Sequence, residues 1–286
     1  MYLPIAHPPN RAMLLTVVWL LICVWHPLRG QWSVTMGLGS GGNVQEPPPP
    51  TPVPFVAEYV SAQAAQSGFL QSLSPGLQAR LRVSYHLSPY FGLDLTMAYG
   101  MGLPRLGQIA RDGQALAQTQ VRASRWLLTP GLFLSLGDRR FSPYLRVGGV
   151  LPGCYQIDLI VHERYDQGER WQQMVMEAQV LPGWNGTLGM TYRLARWLSL
   201  YYEVEYLAQR ARLTESRLLR YEIDGVDRLP SLARFQTDGT FVPSSQIPAN
   251  VPGQQHFDPD YPLELSTAPH VIRAIGLNLG LVLTFR

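Results

Sequence analysis

The chain of 286 residues is long enough for one or two domains; 46% of it is hydrophobic and only 15% charged, against about 25% charged in an ordinary globular chain. A mean hydropathy close to zero excludes a bundle of membrane helices, and so low a charge excludes a disordered chain. The net charge of +3 comes from arginine alone, because all 23 basic residues are Arg; they are scattered and form no basic stripe, which excludes nucleic-acid binding.

Residues 1–30 read as a secretory signal removed on export. Arg11 precedes the apolar run Met13–Trp25, Pro27 breaks it, and Leu28-Arg29-Gly30 offers a cleavage site before Gln31. The bulky Ile22 before Cys23 argues against a lipoprotein signal. Loss of Cys23 leaves Cys154 alone, so no internal disulfide is expected.

From residue 31 onward the dominant period is two, which places successive side chains on opposite faces of a strand. Trp32, Val34, Met36 and Leu38 form a first apolar ladder, and Leu77 to Leu87 a second, opposite Gln78, Arg80, Arg82, Ser84 and His86. After a turn at Ser88-Pro89, Phe91 to Tyr99 form a third, opposite Asp94. Trp126 to Leu136 form a fourth, in which Pro130 is a blemish because proline cannot donate to a ladder. Leu145 to Leu151, Trp184 to Leu194 and Leu198 to Tyr206 follow. The eighth is the clearest: six large apolar residues, Ile275 to Phe285, alternate with small or polar ones. That length matches the roughly 9–11 residues of a tilted membrane strand.

The connections alternate between tight and long, and aromatic residues gather at the strand ends: Trp32, Tyr99, Trp126, Tyr144, Trp184, Trp197 and Phe285, with Tyr90, Phe91 and Phe141 beside them. Both are marks of a bacterial membrane barrel. The expected fold is therefore all-β, an eight-stranded antiparallel up-and-down transmembrane β-barrel over residues 31–286. Short turns face the periplasm, and long extracellular loops run over about 41–75, 101–123, 153–180 and 209–269.

These patterns, with the segment Pro143-Tyr144-Leu145-Arg146-Val147-Gly148-Gly149 and the Gly-rich ending Gly276–Arg286, resemble the small outer-membrane barrels typified by OmpA, OmpX and OmpW, and the Bacteroidetes type in particular. The resemblance rests on patterning across residues 31–286 and has no invariant motif. Such barrels usually end on an aromatic residue, whereas here Phe285 is penultimate. The resemblance implies residence in a Gram-negative outer membrane among its lipids, with help from the barrel-assembly machinery during insertion. It does not fix a role, because one fold hosts many functions.

In the first loop, Pro47-Pro48-Pro49-Pro50-Thr51-Pro52 reads as a stiff spacer, and Phe55–Leu73 could form a short helix. The second and third loops read as hairpins turning at Arg111-Asp112-Gly113 and Asp166-Gln167-Gly168. The fourth is the longest, with turns expected at Asp224-Gly225 and Asp238-Gly239 and rigid irregular chain around Pro259, Pro262 and Pro269. A dinucleotide fingerprint at Gly37–Gly42 is rejected, since a proline run and no helix follows it.

The inward face is expected to hold Arg80, Arg82, His86, Asp94, Arg146, Arg193, Glu203, Glu205 and Arg273. A barrel of eight strands is filled by side chains, so these should pair as a charge network, with Arg273 the partner of Glu203 and Glu205. Ser84, His86 and Asp94 are the residue types of a hydrolytic triad, but i and i+2 side chains lie too far apart for it and no oxyanion hole is evident. No catalytic, cofactor or metal site is expected. Three functional readings follow, in this order: a non-enzymatic anchor presenting loops to an extracellular protein or other surface ligand, or as part of a surface or secretion assembly; a small passive channel for ions or small solutes; and a lipid-acting hydrolase.

Overall fold

The structure, a computed structural model, describes residues 31–43, 76–111, 114–136, 140–165, 168–243, 245–252, 256–267 and 269–285. The expected signal, the proline run and the Phe55–Leu73 segment lie outside them. Alternation along the chain folds almost everything described into strands: β1 (Gln31–Asn43), β2 (Leu77–His86), β3 (Phe91–Met101), β4 (Arg105–Arg111), β5 (Gln114–Ser135), β6 (Phe141–Val150), β7 (Cys154–Tyr165), β8 (Gly168–Arg193), β9 (Leu198–Ile223), β10 (Val226–Asp227), β11 (Asp238–Pro243), β12 (Leu263–Thr267) and β13 (His270–Phe285). They pair antiparallel throughout, except that β11 and β12 run parallel.

Eight of them close a ring in the order β1-β2-β3-β5-β6-β8-β9-β13 and back to β1. The closing seam sets Trp32 opposite Phe285 and Leu38 opposite Leu279, so the first and last ladders lie side by side. All eight sequence ladders are staves of this barrel. Three short turns, after β2, β5 and β8, share one end.

The wall obeys the period of two. Met36, Leu93, Leu132, Leu145, Leu188, Leu279 and their ladder neighbours point outward and are exposed, forming an apolar belt far larger than a monomeric soluble surface carries. Paired aromatic rings bound the belt at both ends. Trp32 lies against Tyr85 and Phe141 against Tyr192 on the turn side; Tyr99 lies against Trp126 and Trp184 against Tyr206 on the other. An apolar band between aromatic girdles is the outside of a barrel in lipid. Pro130 sits in this wall opposite Leu95 on β3. On its other side the β5–β6 register runs from Gly131 to Ser135, and Leu151 N–H bonds Leu128 O beyond it, so proline interrupts one ladder locally.

Beyond the second girdle three strands do not stop. β5, with 22 residues, and β8 and β9, with 26 each, run unbroken out of the belt into a second sheet. There they pair with β4, β7, β11 and β12 in the order β4-β5-β7-β8-β9-β11-β12. The expected second and third hairpins are thus the β4–β5 and β7–β8 arms. The fourth loop differs from expectation. β9 continues through it to Ile223, Asp224 and Gly225 make a tight turn with φ of 53° and 74°, and β10 returns. Asp238-Gly239 is not a turn but the start of β11, because pairing with Ser216 and Arg217 on β9 holds it extended.

One face of the outer sheet buries Val121, Ile157, Leu159, Val161, Ala178 and Val180, which join Leu127, Val150, Leu207 and Ile272 from the top of the barrel in one apolar cluster. The bulge at Leu181–Trp184 shifts the register of β8 so that Val180 above it and Asn185 below it both face inward. If the belt is lipid-facing, replacing Leu279, in the middle of the last outward ladder, by Arg is expected to lower folding stability by about 2–4 kcal/mol. Equilibrium unfolding of the chain refolded into vesicles measures this, and a loss below about 1 kcal/mol would contradict it.

Candidate functional site: the lumen column and the outer sheet

Opposite the belt, the same alternation delivers polar residues to the lumen. Glycines of β1 make room for them: a Cβ on Gly37 would fall on the Tyr201 hydroxyl, and one on Gly39 on Asn278 Oδ1. Glu203 stands at the centre, with its side chain fully buried. Its Oε1 accepts from Arg82 Nη2 and from the Tyr144 hydroxyl, each at 2.6 Å, and Arg80 Nη1 lies 3.9 Å from Oε2. Glu205 pairs with Arg80 and accepts from Asn185 Nδ2 at 2.9 Å. Arg146 donates from Nε to Asp94 at 2.7 Å and from Nη2 to Thr96 at 2.6 Å, while Arg82 Nε also reaches Thr96 at 3.2 Å.

Three arginines thus meet three carboxylates drawn from β2, β3, β6 and β9, and the column is neutral. It is not saturated with hydrogen bonds: Arg80 Nε, Asp94 Oδ1 and Tyr201 Oη are buried without a partner among the described residues. Above it, Arg125 donates to the Tyr155 hydroxyl at 2.8 Å and Gln209 donates to the same oxygen. The apolar cluster begins directly over this layer.

Six of the nine expected lumen charges, Arg80, Arg82, Asp94, Arg146, Glu203 and Glu205, form this network. His86 and Arg193 continue the inward register at the turn end. His86 bonds Ser33 Oγ at 3.1 Å and packs edge-on against Phe133; Arg193 is partly exposed there. Arg273 is a correction. It lies on the outer face of β13, opposite Ala208, because it shares parity with Ile275 and Leu277; Arg80 and Arg82 reach Glu203 and Glu205 across the lumen instead. Tyr144 is a second correction: it belongs to the lumen, not to the aromatic girdle, since it alternates with the outward Leu145.

The other expected girdle residues, Trp32, Tyr99, Trp126, Trp184, Trp197 and Phe285, face outward or lie in the turn. Ser84 does stand opposite Asp94, but Asp94 serves Arg146 and His86 turns to Ser33, so the three do not form a triad. Arg125 and Tyr201 were missed, although the outward Trp126 and Leu200 beside them signal an inward position.

The face of the outer sheet opposite its apolar cluster is a groove of about 1040 Å³. Its floor is three cross-strand rows: Arg122, Asp158, Val175, Arg217 and Asp238; then Gln156, Glu177, Glu215 and Thr240; then Gln120, Ile160, Gln173 and Arg220. The short helix Arg234–Thr237 and Pro262 wall it, with Arg217 and Arg234 on Asp238 at 3.5 and 3.4 Å. Arg220 stacks 4.1 Å over the Trp171 ring and is held by Glu222 at 2.6 Å. Burial raises the Asp158 carboxyl above its ordinary value, opposed by Gln156 and Arg122.

No family model matches the chain, and no curated protein sequence does. Among solved structures it is similar to that of Ail, the attachment invasion locus protein of Yersinia pestis, with 9% identity over 90% of this chain and 99% of that one and a TM-score of 0.34. It is also similar to Neisserial surface protein A (NspA), with 7% identity over 90% of this chain and 97% of that one and a TM-score of 0.32. Values this low transfer no role to this chain.

Glu203→Ala leaves Arg82 and Tyr144 buried without their acceptor, so it is expected to destabilise the barrel by about 3–5 kcal/mol, whereas replacing Arg82 and Glu203 together by Met should recover most of the loss. Unfolding titrations in vesicles compare the variants, and equal losses in both would refute the pairing. The raised Asp158 carboxyl contributes stability at low pH that is lost as pH rises through its folded value. Asp158→Asn should therefore remove a decline in outer-sheet stability above roughly pH 4, followed as protease resistance against pH.

Proposed function

We propose that this protein is a non-enzymatic outer-membrane barrel whose work is to hold its extracellular sheet above the bilayer for surface binding. The observation that carries the reading is the continuity of β5, β8 and β9 from the apolar belt into the outer sheet. Strand content is invested in presenting a rigid face, while the lumen beneath is filled by a neutral column and covered by an apolar cluster. Residues 1–30 serve as the export signal, and the barrel-assembly machinery completes insertion. The surrounding lipid is the first partner, and an extracellular ligand of the outer sheet is the second.

A passive channel is the alternative reading. It requires water to pass Arg82, Arg146 and Glu203, whose side chains are at most 8% exposed, and their mixed signs lack the single-sign ring of a selective pore. The hydrolase reading loses its support because Asp94 is held by Arg146 and His86 by Ser33.

Conductance of the refolded protein in a planar bilayer distinguishes the readings: a silent membrane is expected. Reproducible current steps that change in an Arg82→Ala, Glu203→Ala variant would overturn the anchor in favour of a pore. In parallel, protease added to intact cells should cut within residues 209–269 and leave the belt protected.

A further inference from the structure

The groove on the outer sheet has a composition that selects a ligand class. Its lining holds four arginines and four carboxylates, so it offers no net field to a polyanion such as nucleic acid. Three side-chain amides, Gln120, Gln156 and Gln173, lie on the floor, each able to donate and accept at once. That is the pairing which adjacent hydroxyl groups on a sugar ring require. Trp171, fixed from one side by Arg220, supplies a rigid flat surface with an apolar body, and Ile160, opposite Gln173, and Val175, two residues along β8 from it, add apolar surface within the polar rows. The ridged C–H face of a pyranose fits such a strip, while its equatorial hydroxyls meet the amides.

An extended peptide would instead seek a free strand edge, whereas the groove crosses the middle of the sheet, where β7, β8 and β9 are paired on both sides. The height of the groove is equally informative. On β5, Arg122 and Gln120 stand four and six residues beyond the girdle residue Trp126, which at about 3.3 Å per residue and a membrane-strand tilt places the floor roughly 10–20 Å above the interface. In an outer membrane this is the level of the sugars of the outer-leaflet glycolipid.

We propose that the groove binds an uncharged oligosaccharide segment carried by the glycolipid that surrounds the barrel. This rests on the outer-membrane reading above and names the ligand of its presented face. The probe is the core oligosaccharide released from lipopolysaccharide by mild acid and dephosphorylated, titrated calorimetrically into the full-length refolded protein. Saturable binding that barely changes between low and high salt is expected. Trp171→Ala and Gln173→Ala should each weaken it about tenfold or more, a loss of roughly 1.4 kcal/mol, and Trp171→Phe should retain most of it. In lipid discs, complete lipopolysaccharide should block the free sugar, and lipopolysaccharide truncated before the core should not.

No binding by a folded, membrane-inserted wild type would overturn the proposal, as would equal binding by Trp171→Ala. Binding that needs phosphate and vanishes with salt would point to a charged ligand and also overturn it, and failure of complete lipopolysaccharide to block would rule out the glycolipid as source. Failure of the barrel reading itself shows separately, before any sugar is added, as the absence of heat-modifiable gel mobility and of insertion into vesicles.

Discussion

Backbone groups that face lipid have no water to bond, so a sheet in a bilayer must close on itself. That constraint organises everything else here. Closure through the β1–β13 seam fixes eight staves; eight staves leave a lumen only as wide as the side chains that fill it; and the alternation that sends leucines outward must send something inward. What it sends is polar, because each strand has one face for lipid and one for the interior. The interior is then stable only if its charges cancel.

Cancellation across the lumen explains why the network joins residues far apart in sequence. Arg80 and Arg82 on β2 meet Glu203 and Glu205 on β9, neither strand being hydrogen-bonded to the other, so these pairs brace the ring by a chord through the lumen past β13 and β1, where the ladders brace it along its circumference. A buried pair of this kind is weak evidence for net stability but makes the loss of one member severe. Arg125 belongs to a different layer, held by the Tyr155 hydroxyl under the apolar cluster, and marks where the polar column ends.

The barrel was legible because its signal is periodic and repeated. All eight ladders from Trp32–Leu38 to Ile275–Phe285 lie in the wall, and the long second and third connections are the hairpins their turn residues suggested. Parity alone also located most lumen charges, and applying it strictly would have placed Arg273 outside and Tyr144 inside. The outer sheet was less legible. Its strands bury one face against a cluster built by the fold itself, bulges at Gln173/Met174, Glu177/Ala178 and Leu181/Trp184 break the period, and β11 is held by pairing with β9 on one side and β12 on the other. Asp238-Gly239 has the local chemistry of a turn, and tertiary pairing overrides it. The groove is assembled from rows that cross five strands, so no contiguous segment announces it.

The filled lumen also dictates an order of events during biogenesis. The finished barrel offers no passage wide enough for the charged β7–β8 arm or the chain between β9 and β13 to move through. Both must therefore reach the far side of the membrane while the ring is still open. The seam between β1 and β13, which joins the first and last strands, has the longest loop to close and the greatest entropic penalty. It is thus the natural final step, a door that shuts only after the cargo of its own outer sheet has passed.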